Sequence, residues 1–403
     1  MSFLTTIAII IGAIFFAYIA FAALYVFVFS VAGSLQPKQK QPKIINKQRK
    51  IAVVIPGYKE DNVIVSVAEE ATRQNYPAEL FDVFVLADSF AAETVTKLKA
   101  LPIQVMEVVF EESSKTKSLL HAANTIDASY EIALILDADN VMAPDFLQRL
   151  NAGFEAGYTA IQGHRVAKNV NTPFAVLDAL SEEINNHIFR KGHRALGLSS
   201  AFIGSGMALE FSLFKQLIAK VGTTCGAEDK EIELELLSDG VTIEYLNDAL
   251  VYDEKIQNAK VFEGQRKRWM DSQYEYAKPF LWKSIRALFT QGNINLIDKV
   301  YQMFMPPRVV LLGSTVLLFF GFLFVHLFVT NSVQNWLVAS GIVLFMVVFS
   351  YAIAVPKQYY TLQLFKAIVL VPKAFFIMFK NVLVARGANK KYFHTAHGVI
   401  QNK

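Results

Sequence analysis

The chain has 403 residues, of which 53% are hydrophobic and 18% charged, with a formal net charge of +4. Soluble proteins average about 45–50% apolar and about 25% charged residues, so the apolar excess indicates membrane segments. The positive charges flank the apolar runs, and no pattern indicates nucleic-acid binding. The single cysteine, Cys225, excludes an intrachain disulfide and fits a reducing compartment.

The N-terminal segment is apolar enough to span a bilayer. Residues 1–37 contain no charged side chain, and the run from residue 3 to about residue 31 exceeds the roughly 20 residues that a crossing helix needs. Because it lacks the basic start of a signal peptide, residues 1–35 are predicted to be a retained transmembrane anchor. A basic linker at residues 36–50 follows it.

The middle of the chain, residues 51–275, alternates short apolar runs with helical stretches. Apolar runs at 51–56, 82–88, 103–109 and 131–139 are typical of strands that are buried on both faces. They predict an α/β domain with a doubly wound, mostly parallel sheet. Ligands of such domains bind beyond the carboxyl ends of the strands.

Acidic residues stand at these predicted strand ends. Asp88 closes one strand, and Asp137 and Asp139 close another in the stretch LILDADN. One such aspartate could be a turn former or a helix N-cap. Alternate residues of an extended chain share a face, and two neighbouring carboxylates repel unless a cation lies between them. Since Mg²⁺ and Mn²⁺ prefer oxygen ligands, the pattern predicts a metal–phosphate site.

A second acidic stretch, GAEDKEIELELLSDG, predicts a helix that begins near Glu228 and Asp229. Most of its acids would form the polar face of that helix. A carboxylate at the helix start can instead cap the helix or face a cleft. In a cleft it could remove a proton from an alcohol, as a general base does.

The C-terminal third carries further membrane segments. Residues 309–355 lack Asp, Glu, Lys and Arg and break once, at TNSVQNW, which predicts a hairpin that crosses twice. Residues 276–308 are expected to be interfacial connecting helices. Residues 356–403 are expected to be an interfacial amphipathic helix and a basic tail, with residues 362–384 as an alternative fourth crossing and a kink at Pro372.

Lysine and arginine placement predicts the orientation of a multi-pass protein in the inner or plasma membrane. Cations follow the first apolar run and flank the hairpin on one side, whereas the N-terminus and the hairpin tip carry none. The middle domain and the C-terminus are therefore expected in the cytoplasm, with the N-terminus outside.

Seven segments, in order, resemble the motifs of membrane-integrated family 2 glycosyltransferases. This inverting group has the GT-A fold and includes cellulose and hyaluronan synthases. The segments are VVIPGYKED (53–61), VLADSFAAET (85–94), SSKTKSLLHAAN (113–124), LDADN (136–140), FIGSGMALE (202–210), AEDKEIELEL (227–236) and QRKRW (265–269). Three positions depart from the pattern, with Ser114 for glycine, Ala227 for threonine and Glu210 where relatives often have arginine.

The resemblance implies the roles of individual residues. Asp229 would be the catalytic base, and Arg268 would hold the departing diphosphate through its planar, always-charged fork. Donor binding would use Glu60, Asp88, Lys115, Asp137, Asp139, Gln265 and Arg268. Acceptor binding would use Gly204, Ser205, Glu228 and Trp269. Mg²⁺ or Mn²⁺ would be held by Asp139 and Asp137. The neighbouring Arg266 and Lys267 are expected to face lipid headgroups or solvent.

The predicted function is a metal-dependent hexosyl- or N-acetylhexosaminyltransferase. It would move a sugar from a UDP-sugar to a hydroxyl of a growing polysaccharide, as a processive synthase. A single transfer to a lipid-linked or membrane acceptor is the alternative, because about three crossings are few for an export channel. A homo-oligomer or an export partner could supply more.

A third hypothesis, from another class, is a non-catalytic membrane protein that binds sugar nucleotides. The intact acids and the QRKRW motif disfavour it. The partners predicted are the UDP-sugar, a glycan or lipid-linked acceptor and membrane lipids, without nucleic acid. Glucose and N-acetylglucosamine both stay open as the transferred sugar.

Overall fold

A computed structural model of the chain describes residues 3–36, 47–222, 228–257 and 259–384. Within these ranges one mixed sheet has the strands β1 (Ile51–Tyr58), β2 (Phe81–Asp88), β3 (Gln104–Val108), β4 (Ile132–Ile135), β5 (Val141–Met142), β6 (Ala160–Ala167), β7 (Met207–Glu210) and β8 (Glu244–Asp253). The order across the sheet is β3-β2-β1-β4-β7-β6-β8-β5.

The first half of the sheet is parallel, as the sequence predicts. The pairs β1–β2, β2–β3, β1–β4 and β6–β8 are parallel, whereas β4–β7, β6–β7 and β5–β8 are antiparallel. The predicted α/β class with a mostly parallel sheet is therefore confirmed. The four predicted strands match β1 to β4, but β4 ends at Ile135, earlier than the sequence pattern suggests.

Helices cover both faces of the sheet and continue into the membrane segments. The helices of the sheet domain are α2 (Ile64–Ala71), α3 (Ala92–Lys99), α4 (Lys115–Thr125), α5 (Phe146–Glu155), α6 (Pro173–Asn185), α7 (His193–Ala195), α8 (Phe211–Lys220) and α9 (Glu228–Ser238). The others are α1 (Phe3–Leu35), α10 (Ala259–Gln291), α11 (Ile294–Phe304), α12 (Arg308–Phe328), α13 (Gln334–Ala354), α14 (Leu362–Val369) and α15 (Val371–Val384). A π-helix, Asn186–Gly192, joins α6 to α7.

The central strands are apolar throughout because both of their faces are covered. Ile51, Val53 and Ile55 of β1 pack into one hydrophobic core. Ala52 and Val54 pack into another on the opposite face. This alternation is the geometry of a strand between two helical layers. The helical layers cover the faces of the sheet, and the carboxyl ends of β1, β2 and β4 lie between these layers at one end of the domain.

Among the described residues, three helices are long and apolar enough to cross a membrane, at Ile9–Leu35, Arg308–Phe328 and Asn331–Ala354. The first and third run side by side in the same direction. Phe16 packs against Trp336, and the hydroxyl of Ser30 donates to the backbone oxygen of Ser350 at 2.8 Å. The turn between α12 and α13 therefore lies toward the N-terminal end of α1.

The segment at residues 362–384 is broken, as Pro372 suggests. Helices α14 and α15 meet at an angle of 42°. Two of its lysines contact protein: Lys380 Nζ lies 3.1 Å from Glu263 Oε1, and Lys373 Nζ lies over the ring of Phe174 at 5.8 Å.

Candidate functional site

Gly204 marks the point where three predicted site residues converge. Its backbone has φ +86°, and a Cβ at this position would lie 3.8 Å from Lys115 Nζ, 3.9 Å from Asp137 Oδ2 and 4.0 Å from Asp229 Oδ2. Positive φ favours glycine, which explains the residue in the FIGSGMALE segment. The backbone turn before β7 therefore lies against a lysine and two aspartates.

Lys115 reaches this point from the first turn of α4. Ser114, at the position where relatives carry glycine, caps the helix, since its Oγ accepts a hydrogen bond from the backbone N–H of Lys117 at 3.2 Å. The Nζ of Lys115 donates to Asp137 Oδ1 at 2.5 Å and to the backbone oxygen of Gly204 at 2.7 Å. Burial lowers the pKa of Lys115, but the charges of Asp137, Glu228 and Asp229 outweigh this and raise the pKa above its ordinary value.

Asp137 and Asp139 lie in a turn beyond β4, in which the backbone N–H of Asn140 donates to the oxygen of Asp137 at 3.1 Å. The expectation that an extended chain places both carboxylates on one face is therefore wrong, because the strand ends at Ile135. Their place at the carboxyl edge is as predicted. Ser205 supports the turn, since its Oγ accepts from the N–H of Asp137 at 3.0 Å.

Asp137 and Asp139 would suit a divalent cation whose remaining ligands are water or substrate phosphate. No three His, Cys, Asp or Glu side chains of the described ranges group closely enough to hold a metal by themselves. Mg²⁺ commonly takes one or two carboxylates and completes its shell with water and substrate phosphate. Burial raises the pKa of Asp137 to about 6, with Lys115 opposing and Asp139 adding to the increase. A cation at this site would relieve that unfavourable charge.

A buried polar network, absent from the sequence analysis, supports Asp139. Asn140 Nδ2 donates to Asp139 Oδ1 at 2.8 Å and to Asp253 Oδ1 at 3.0 Å. Lys255, 2% exposed, pairs with Asp253 at 2.5 Å and also with Glu182. A signal for Asp253 exists in the sequence, because it closes strand β8 as Asp88 closes β2.

Asp88 and Glu60 lie at the neighbouring strand ends. Asp88 is the last residue of β2, is 1% exposed and stands opposite Tyr58 of β1. Its Oδ1 accepts from Ser89 Oγ at 2.9 Å, whereas its buried Oδ2 has no hydrogen-bond partner among the residues that the structure describes. Glu60 lies in the loop after β1, where its backbone oxygen accepts from the N–H of Ile64. An unsatisfied buried carboxylate oxygen is costly, so this atom is poised for a donor from a ligand.

Helix α9 begins with Glu228 and Asp229, as the sequence predicts. Glu228 Oε1 lies 3.3 Å from Lys115 Nζ. Asp229 Oδ1 accepts from the backbone N–H of Lys230 at 3.0 Å, and its Oδ2 is the atom that faces Gly204. The structure therefore brings Lys115, Asp137, Gly204, Ser205, Glu228 and Asp229 together.

Helix α10 carries Gln265 and Trp269, and corrects the expectation for Arg266. Arg266 is 9% exposed and pairs with Asp178 of α6, so it faces neither lipid headgroups nor solvent. Its guanidinium lies 4.4 Å from the centroid of the Trp269 ring. A planar cation over an aromatic face is a favourable pairing.

The rest of the QRKRW segment makes fewer contacts with the residues around Gly204, which are called the Gly204 cluster below. Gln265 Oε1 is buried and has no hydrogen-bond partner within the described part of the chain, and Trp269 is 44% exposed. Among described residues, no hydrogen bond or ring contact joins either to the Gly204 cluster. The side chain of Arg268 lies outside the described residues. Tyr276, seven residues after Trp269 and so on the same face of α10, lies in electrostatic range of Glu228 and Asp229.

Comparison with known proteins bears on this arrangement. Residues 48–272, more than half of the chain, match the family model described as "Glycosyltransferase like family 2". The Glucans biosynthesis glucosyltransferase H of Rhodopseudomonas palustris (strain TIE-1) is 26% identical over an alignment of 202 residues, and the match covers 42% of this chain and 27% of that relative. The chain thus matches about a quarter of that protein's length.

A solved structure shares the fold of the chain. The mannosyltransferase PcManGT from Pyrobaculum calidifontis, in complex with GDP-Man and Mn²⁺, superposes with a TM-score of 0.50 and 17% identity, over 84% of this chain and 97% of that one. At this identity the likeness concerns the fold alone. The matched region spans the sheet domain and all seven motif segments, and the chain belongs to the glycosyltransferase-like family 2.

Proposed function

We propose that the chain is a membrane-bound inverting glycosyltransferase that moves a sugar from a UDP-sugar to a hydroxyl of a growing polysaccharide. The observation that carries the proposal is the convergence of Lys115, Asp137 and Asp229 around Gly204. Such a transfer needs a cation, a carboxylate near the diphosphate and a carboxylate that acts as the base. Lys115, Asp137 and Asp229 would supply these three groups. The crossing helices and the flanking cations support an N-terminus outside and a catalytic domain in the cytoplasm.

The donor would lie along the carboxyl edge of the sheet. The unpartnered Oδ2 of Asp88 would accept a hydrogen bond from the nucleotide base, with Glu60 close by. Lys115 would approach the diphosphate side, where Asp137 and Asp139 lie. A bound Mg²⁺ or Mn²⁺ would neutralise negative charge on the diphosphate oxygens. Arg268 and Gln265 would hold the departing UDP, and Trp269 would offer its exposed face to the acceptor sugar.

Asp229 would act as the general base. Its Oδ2 faces Gly204, and the residue lies in the first turn of α9. The acceptor hydroxyl would give its proton to Asp229 as its oxygen attacks the anomeric carbon. The bond from that carbon to the UDP oxygen breaks on the opposite side, so the configuration inverts. Glu228, Gly204 and Ser205 would line the acceptor side.

A single transfer to a lipid-linked acceptor is the second candidate. It is favoured by the three crossing helices of the described chain, or four if the bent α14–α15 pair spans. A glycan channel generally needs more helices, which a second copy or an export partner would have to supply. The two functions differ in their acceptor and in the length of the product, and both differences can be measured.

The test uses the full chain in nanodiscs with a panel of UDP-sugars, Mg²⁺ or Mn²⁺ and candidate acceptors. UDP release with a long product would establish a synthase, and release that needs an added lipid acceptor would establish single transfer. Chelation of the metal should stop release in either case.

Asp229→Asn should abolish transfer and leave UDP binding by calorimetry largely intact. Asp239→Asn is the matched control, because Asp239 follows the other end of α9 and pairs with the surface residue Lys220 at 2.7 Å. Full activity of Asp229→Asn would remove it from the base role. UDP binding without turnover of any donor would favour a binding protein.

A further inference from the structure

Helix α11 carries a buried lysine that no part of the proposed reaction uses. Lys299 Nζ lies 2.7 Å from Glu233 Oε1 of α9, with side chains that are 7% and 0% exposed. Taking two charges out of water is costly, and removing one partner leaves the other buried and uncompensated. Such a pair therefore ties α9 to α11 electrostatically, because separating the two buried charges is costly.

The glutamate of this pair lies one helical turn from the candidate base. Glu233 follows Asp229 by four residues, so the two side chains project from neighbouring positions on one side of α9. A shift or rotation of α9 that breaks the pair would also move the Asp229 carboxylate away from Gly204. Apolar contacts alone would constrain such a rotation less, because they have no direction.

Helix α11 is in turn fixed to the N-terminal membrane helix. Asp298, the residue before Lys299, accepts a hydrogen bond from the hydroxyl of Tyr25 at 2.6 Å. Its other oxygen lies 3.3 Å from His193 Nε2 and accepts from Gln302 at 2.8 Å. Contacts therefore run without a gap from α1 through α11 to the helix that carries Asp229.

We propose that Lys299 and Glu233 are positioning residues that hold α9 in the orientation from which Asp229 reaches the acceptor hydroxyl. The inference rests on the proposed role of Asp229 as the base. It assigns a task in the reaction to two residues that touch neither donor nor acceptor.

The protonation of Lys299 gives this pair a measurable signature. Burial lowers the pKa of Lys299 to about 8. The positive charges of Lys230 and Arg190 lower this pKa further, whereas the negative charge of Glu233 raises it. From α10, the apolar Ala277 and Phe280 and the titratable Tyr276 pack into the core that α9 and α11 share, and burial raises the pKa of Tyr276, which keeps it neutral near pH 8. Lys299 is charged below this pKa and neutral above it, so the pair is lost as pH rises through about 8 and the turnover number should fall there.

The experiment compares kcat, KM for the donor and the pH profile in nanodiscs, with UDP-glucose and UDP-N-acetylglucosamine as donors. Lys299→Met and Glu233→Gln should lower kcat on the order of 10- to 100-fold with a smaller change in KM, because the donor contacts lie on other elements. Lys299→Arg should keep kcat at pH 7 and move the alkaline limb upward, since arginine stays charged.

The matched control is Lys283→Met. Lys283 also pairs with a glutamate of α9, Glu235, at 3.4 Å, but this pair is partly exposed, with side chains 47% and 23% exposed. Exposed pairs contribute little, so kcat should stay within about twofold of the original. A comparable loss in the control would overturn the inference, because any disturbance of α9 would then suffice.

Several outcomes separate the two proposals. Activity in Asp229→Asn removes the base assignment itself. An inactive Asp229→Asn beside unchanged kcat in Lys299→Met overturns the positioning role alone. Where Lys299→Met fails to fold, as judged by size exclusion, the arginine variant decides: an alkaline limb at its original pH overturns the inference.

Discussion

The Nζ of Lys115 lies 2.5 Å from Oδ1 of Asp137 and 3.3 Å from Oε1 of Glu228. One cation thus joins the turn after β4 to the start of α9, two segments that are about 90 residues apart in the chain. Because both carboxylates are largely shielded from water, their repulsion in the absence of this lysine would be strong. The lysine is therefore needed for the shape of the site as well as for its charge.

Lys115→Met should lower the turnover number about 100-fold or more and weaken UDP binding, because it removes the cation from the cleft. Calorimetry with UDP and the release assay measure the two effects. Lys117→Met is the control, since Lys117 lies two residues later in α4 and its Nζ donates, among the described residues, to the backbone oxygen of Glu112 rather than to a site residue. Tight UDP binding by the Lys115 variant would contradict the donor role.

Gly204→Ala should reduce activity sharply and stability modestly. The positive φ costs a non-glycine residue about 1–2 kcal/mol, and the new methyl group would enter the space between Lys115, Asp137 and Asp229. Gly197→Ala is the control, because Gly197 has φ +80° with open space around it. We expect both variants to lose the same thermal stability, whereas only Gly204→Ala should lose activity. Loss in both would point to strain rather than to the site.

Arg266→Gln should destabilise the protein by roughly 3 kcal/mol, because it leaves Asp178 buried without its cation. The fluorescence of Trp269 should also change, since the guanidinium leaves its ring. Lys278→Gln, at an exposed position of the same helix, should be neutral. Chemical unfolding in detergent measures both variants. An unchanged unfolding midpoint for Arg266→Gln would refute the structural role of the pair.

Gly192→Ala should loosen the contact between the π-helix and α1. A Cβ at this position would overlap the backbone oxygen of Phe29, and neither backbone can yield cheaply. A loss of about 1–3 kcal/mol is expected from such overpacking. Gly12→Ala, in α1 but with nothing within 4 Å, should be neutral or slightly stabilising. Thermal unfolding in nanodiscs distinguishes them.

Local sequence patterns predicted the framework well. The apolar runs identified β1 to β4, and their acidic ends identified Asp88 and the Asp137–Asp139 turn. These features depend on burial and on strand order, which leave a periodic trace in the sequence. The predicted family is confirmed by the match over residues 48–272.

Features that depend on the packing of distant segments were not predictable in this way. Arg266 was expected at the surface, because nothing near it in sequence reveals Asp178, which lies 88 residues earlier. The Asn140–Asp253 contact and the Lys299–Glu233 pair likewise join residues far apart in the chain. Hydrophobic periodicity carries no record of such polar partners.

The N-terminal helix is part of the folded catalytic unit. Ile19, Ala22, Ala23, Val26 and Phe29 of α1 share a core with Ile188, Met305 and Leu311. A fragment that begins at residue 47 would expose Ile188, Met305 and Leu311 as a hydrophobic surface. It would also remove Tyr25, whose hydroxyl donates to Asp298. Such a fragment should aggregate or bind detergent, and adding the α1 peptide in trans should rescue it better than changing the buffer.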